Sequence, residues 1–182
     1  DIRKIAKKYS EVSFADVKQL LHSEIHEVRL CGLLILVEKF NVNPDGVFEF
    51  YMDNLKAVNN WDLVDLTADK IVGKYLFDKD KDVLYKLVKG DLWERRISIV
   101  STFYFIKKNE FVDTLKLAEL LLTDEHDLMH KAVGWMLREV GKRDEDVLLR
   151  FLDKHFKVMP RTMLRYAIER FSKGKREYYM QR

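Results

Sequence analysis

The sequence predicts an all-α fold, an α-solenoid of HEAT-like helix pairs with a concave binding face, and three observations carry that expectation. The chain holds 7 Gly and 2 Pro in 182 residues, too few for the reversals an all-β fold needs roughly every 8 to 12 residues. Apolar residues recur at helical spacing almost throughout, between short polar breaks. The more apolar helix of each successive pair also returns at a near-constant interval, the mark of a stacked repeat. About ten or eleven helices are expected, and no segment reads as a strand.

The elements follow in order from their caps. Ser13 and Asp16 form a capping pair that opens FADVKQLLH. Asn43 followed by Pro44 starts PDGVFEFYMDNLKAV, with a cap before a proline in the first turn. Asn59 and Asn60 precede WDLVDLTADKIVGKYLF, read as one helix, with Asp62 in its first turn where the helix dipole favours negative charge. Gly90-Asp91 separates DVLYKLVK from LWERRISIVSTFYFIKK, and Thr123-Asp124 separates TLKLAELLL from HDLMHKAVGWMLREV. Pro160 follows DVLLRFLDKHF.

Composition bounds the rest. An apolar fraction of 47% is that of a globular chain, and this length suits a single domain over 1–182 that buries roughly 70% of its extended surface. Cys31 is the sole cysteine, so an intrachain disulfide or a CxxC zinc site is excluded. The run LCGLLILV from Leu30 to Val37 is far short of the roughly 20 residues that cross a bilayer. DIRKIAKKY at the start has the pattern of a charged helix rather than of a secretory leader. A cytoplasmic protein is expected.

Aligning VRLCGLL, VDLTADK, RRISIVS, HKAVGWM and LRYAIER puts Arg29, Asp65, Arg96, Lys131 and Arg165 in one column, 36, 31, 35 and 34 residues apart. Trp61, Trp93 and Trp135 each stand three or four residues from a member of that column, on the same helix face. Spacing leaves two readings open. Helical repeat arrays carry ladders of acids and bases that only satisfy neighbouring turns, and tryptophan at helical spacing serves cores. Aromatic platforms beside cations are also how nucleic-acid surfaces are built.

The stretches DIRKIAKKY, HEVRLCGLLILVEKF, NNWDLVDLTADKIVG, LWERRISIVSTF and HKAVGWMLREVGKRD resemble the DNA alkylation repair enzyme family, HEAT-like-repeat DNA glycosylases of the AlkD type. The resemblance runs over essentially the whole chain in the family's order. It implies a monofunctional glycosylase of base excision repair that hydrolyses N3- or N7-alkylated purines from duplex DNA, without a cofactor or metal and without a deep base-flipping pocket. It assigns Asp65 as the catalytic carboxylate, Trp61 and Trp135 as the aromatics at the lesion, and Arg96 as the arginine that holds the DNA backbone. Arg29, Lys131, Arg165 and Trp93 are then expected along the DNA-binding face. The family has further helices before the DIRKIA-like segment, including one with an active-site aromatic; these have no counterpart in this sequence, so an N-terminally shortened member is expected. A nucleoid-associated monomer is expected. Two other functions fit the architecture, a DNA-structure binder without catalysis and a protein–protein scaffold.

Other motifs are set aside on chemistry. His22/His26 and His126/His130 have helical spacing but lack the Glu of HExxH or a third ligand. DKDKD from Asp78 to Asp82 imitates a calcium loop, but Val83 stands where Gly is required and Lys89 where the bidentate Glu belongs. The net charge of +3 looks uninformative until it is divided. Arg150 to Arg182 holds ten Lys and Arg against three Asp and Glu, which leaves the preceding residues net acidic. Such sorting directs a polyanion to one part of the surface.

Overall fold

The computed structural model describes residues 2–181, and among them every regular element is a helix. The first repeat-like units comprise α1 (Ile2–Lys8), α2 (Phe14–Leu21), α3 (His26–Lys39) and α4 (Pro44–Asp53). A 3-10 turn at Leu55–Ala57 leads to α5 (Trp61–Asp65), a π-helical turn at Asp69–Gly73 and α6 (Lys74–Leu76). Then come α7 (Asp82–Leu87), α8 (Leu92–Ser101), α9 (Phe103–Lys107) and α10 (Val112–Leu120). The chain closes with α11 (Asp127–Arg143), α12 (Glu145–His155), α13 (Arg161–Ala167) and α14 (Lys173–Met180).

The expected caps form. Ser13 and Asp16 make a reciprocal capping box, as do Asp91 and Glu94. Asn43 accepts from the Gly46 amide ahead of α4, and Asn60 accepts from the Trp61 amide at 2.8 Å. The amides at a helix start have no partner within the helix, so a side-chain oxygen there fixes where the helix begins. At α11 the cap is His126, whose Nδ1 accepts from the Leu128 amide.

Two expected long helices are interrupted. The segment from Trp61 to Phe77 breaks after Asp65, where Thr67 donates its hydroxyl to the Leu63 carbonyl at 2.5 Å and pairs with the buried Tyr51 hydroxyl at 3.0 Å. The following π turn presses against α8 at Gly73, where a Cβ would lie 2.1 Å from the Ser101 carbonyl oxygen. α8 and α9 are likewise divided at Thr102, where Ser101 and Thr102 return their hydroxyls to the Ile97 and Ile99 carbonyls. Hydroxyl side chains that bond back into the preceding turn loosen and bend a helix.

Packing makes a solenoid. α5 packs on α8, α8 on α11 and α11 on α13, so these four helices form a row in chain order. α7, α10 and α12 back that row, and a continuous apolar cluster runs between the layers from Ala6 to Tyr179. Cys31 packs at the edge of this cluster. Among the described residues no helix is long and apolar enough to cross a membrane.

Candidate active site

Asp65 ends the five-residue α5, and the break that follows leaves its carboxylate at the floor of a cleft of about 360 Å³. All four helices of the row contribute. α5 supplies Trp61 and Asp65, α8 supplies Arg96, and α13 supplies Tyr166. α11 supplies Leu128, Lys131, Trp135 and Arg138.

Arg96 holds the carboxylate end to end. Its Nε donates to Asp65 Oδ1 and its Nη2 to Asp65 Oδ2, each at 2.9 Å, while Nη1 donates to the Leu128 carbonyl. Side by side, these two charge-assisted bonds fix the plane of the carboxylate as well as its place. The Asp65 side chain keeps 17% of its surface exposed, against 6% for Arg96, so the carboxylate is the member of the pair that faces the cleft.

The same segment carries a carboxylate every three or four residues, each tied to a different helix. Asp62 meets His26 Nε2 at 2.7 Å, Asp65 meets Arg96, and Asp69 meets Lys107 Nζ at 2.5 Å. These rungs set α5 against α3 and α8, and the π-helical turn against α9. Burial pushes the Asp65 carboxyl above its ordinary range, and the Asp62 and Asp69 charges push the same way, while its bonds and attraction to Arg96 oppose the rise.

The aromatic walls differ in exposure. Trp61 is 54% exposed. Trp135 is half-buried, with its ring tilted against Phe103 at 5.5 Å between centroids. At the cleft wall Lys131 is ion-paired to Asp127 one turn earlier at 2.6 Å, a contact that holds the lysine's pKa above its ordinary value. Arg138 is engaged by Glu139 and Glu169. Among the described residues no group of three or more His, Cys, Asp or Glu side chains is placed to hold a metal ion.

Of the expected residues, Asp65, Trp61, Trp135, Arg96 and Lys131 come together in the cleft. Arg96 lines the cleft, where its buried guanidinium donates to Asp65 and to the Leu128 carbonyl. Arg29 lies outside the cleft and donates through Nη1 to the Ser23 and Glu24 carbonyls in the loop before α3. Trp93 is half-buried and packs against the apolar cluster. Arg165 is exposed, but the next residue, Tyr166, is the one that lines the cleft. One helical residue is about 100° of rotation, so aligning the last repeat on its base set the register off by one.

Tyr166, Leu128 and Arg138 were missed. A signal for Tyr166 exists. It lies 31 residues after Trp135, the same interval that separates Asp65 from Arg96.

By its fold the protein is an all-helical solenoid with an open cleft built from one carboxylate, indoles and cations. The chain belongs to the DNA alkylation repair enzyme family, whose model matches residues 1–171. Two solved structures are similar in fold. One is a predicted DNA alkylation repair enzyme from Enterococcus faecalis, with a TM-score of 0.75 and 15% identity, covering 94% of this chain and 81% of that one. The other is AlkD2 from Streptococcus mutans, with a TM-score of 0.70 and 18% identity, covering 94% of this chain and 89% of that one. No protein with a curated description matches the chain. Family membership places the chain among enzymes of DNA alkylation repair.

Proposed function

We propose that the protein is a DNA glycosylase that hydrolyses the N-glycosidic bond of cationic N3- or N7-alkylated purines in duplex DNA and leaves an abasic site. The observation that carries this reading is the fixed Asp65 carboxylate facing a cleft flanked by Trp61 and Trp135. An alkylated purine already bears a positive charge and departs without protonation. As the bond from C1′ to the base nitrogen breaks, its electron pair neutralises the purine and positive charge develops on the deoxyribose. An immobile carboxylate aimed at that charge stabilises it in the transition state. Water then bonds to C1′, and its proton passes to Asp65 or to solvent.

The surrounding residues fit the same chemistry. Indole faces attract cationic groups, and Trp61 is exposed enough to meet a nucleotide. Arg96 is a positioning residue that keeps Asp65 ionised and oriented. Lys131 and the exposed Arg165 are the proposed phosphate contacts. The open cleft spans four helices, in keeping with capture of the lesion without a deep pocket.

Incubation with N-methylated duplex DNA tests the proposal by assay of released methylpurine. Release by the parent chain, slowed about a hundredfold or more in Asp65→Asn, is the expected result. A parent that binds duplex DNA with steep salt dependence yet releases no purine is a non-catalytic DNA-structure binder. Weak, salt-insensitive binding identifies a protein scaffold.

A further inference from the structure

Three carboxylates stand on the segment from Trp61 to Gly73, and among the described residues Asp62 is the one with no lysine or arginine against it. Arg96 lies against Asp65, and Lys107 and Lys70 lie against Asp69. Asp62 Oδ2 instead meets His26 Nε2 at 2.7 Å, and its Oδ1 accepts from the Leu63 amide at 2.9 Å.

The tautomer of His26 follows from its other neighbour. Arg29 Nη2 lies 3.5 Å from His26 Nδ1, and a guanidinium can only donate. Nδ1 is therefore the acceptor, and Nε2 carries the proton that it donates to Asp62. The guanidinium is itself held, through Nη1, by the Ser23 and Glu24 carbonyls. A neutral imidazole thus orients Asp62 without cancelling its charge. The Asp62 side chain is only 23% exposed, so solvent screens that charge incompletely.

Asp62 and Asp65 are three residues apart on α5 and share a helix face. The other charges of the cleft are paired: Arg96 with Asp65, Lys131 with Asp127, and Arg138 with Glu139 and Glu169. We propose that Asp62, oriented by His26, is a positioning residue that acts through Asp65, its uncompensated negative charge making Asp65 a stronger base for the proton of the attacking water. The inference rests on the glycosylase reading. The purine leaves with the electron pair of its bond to C1′, the water oxygen bonds to C1′, and one O–H bond breaks as its proton passes to an Asp65 oxygen. Burial is the main cause of the raised Asp65 carboxyl, and the Asp62 charge adds to it.

The test follows single-turnover release of 7-methylguanine against pH in the parent, Asp62→Asn, His26→Ala and His26→Gln. Asparagine can still accept from His26 but carries no charge. Asp62→Asn is expected to move the acid limb to lower pH by about half a unit, the scale of a partly screened charge one turn away. Above the limb, release falls roughly threefold as the base weakens. His26→Ala frees Asp62 to turn to solvent and shifts the limb the same way, whereas His26→Gln restores a neutral donor and returns it toward the parent. Arg96, Asp69, Lys131 and Arg138, the other charged groups around Asp65, are the same in every variant. Release lowered at all pH values with the limb unmoved is what a purely structural contact gives, and it overturns the proposal. A second arm titrates the Asp65 carboxyl carbon by NMR in the free protein, with the signal assigned by its loss in Asp65→Asn. If the parent releases no purine, the glycosylase reading fails. The titration then decides whether Asp62 acts on Asp65: a midpoint that falls in Asp62→Asn upholds that link, and an unmoved midpoint removes it.

Discussion

Arg96 and Asp65 meet through two parallel hydrogen bonds of 2.9 Å, and in this pair the arginine is the more deeply buried partner. The usual picture of a nucleic-acid-binding arginine is thereby inverted. Both side chains line the cleft, and the acid is the more exposed of the two.

Truncating Arg96 should therefore act on both stability and mechanism. Arg96→Ala leaves a largely buried carboxylate without its counterion, which costs on the order of 3–5 kcal/mol. It also removes the contacts that oppose the rise of the Asp65 pKa. Denaturant titration reads the first effect, and an acid limb of purine release displaced to higher pH reads the second.

The parent's own pH profile follows from Asp65. Its folded-state carboxyl is raised above the ordinary 3.8, so under the proposed function purine release is expected only at a pH above that raised value. The sign for stability is the opposite of the common carboxylate case. Because the folded pKa exceeds the unfolded one, Asp65's favourable linkage is complete below the unfolded pKa and is lost as pH rises through the folded one. In kcat/KM measured against pH, the acid limb is expected in the parent and absent from the residual activity of Asp65→Asn.

The two indoles should separate under mutation. Trp61 is 54% exposed, so Trp61→Ala is expected to change stability by no more than about 0.5 kcal/mol while lowering affinity for a lesion duplex roughly tenfold. Trp135 is half-buried against Phe103, and Trp135→Ala should reduce both quantities. Thermal unfolding beside a lesion-binding titration distinguishes them.

Lys131 is half-buried, with 40% of its side chain exposed, and its partner Asp127 lies on the same helix. Lys131→Gln should leave thermal stability nearly unchanged, since exposed ion pairs contribute little. Affinity for undamaged duplex should fall, and the slope of log affinity against log salt should become shallower by about 0.9. Binding measured over a range of salt concentrations checks both.

Gly134→Ala inserts a methyl group where 2.5 Å separates the ideal Cβ from both the Met163 carbonyl oxygen and Tyr166 Cβ. Overpacking of this kind costs about 1–3 kcal/mol. It should also displace α13 from its seat on α11, and thermal unfolding of Gly134→Ala beside the parent reads the loss.

Much of this was legible in the chain itself. Caps at Ser13, Asn43 and Asn60 are local chemistry, written within four residues, and they fixed where helices begin. Helical periodicity and the recurrence of Asp65, Arg96 and Lys131 determined a stacked helical row and three of its cleft residues. Only the tertiary structure decided what each side chain does there. Arg29 turned to loop carbonyls, Trp93 to the core and Arg96 to Asp65, because a buried donor takes the nearest acceptor and sequence spacing does not say which lies nearest. Tyr166 entered the cleft through a register that Gly134 sets by letting two backbones touch. A periodic pattern gives the face of a helix to within about one residue, and one residue is enough to exchange Arg165 for Tyr166.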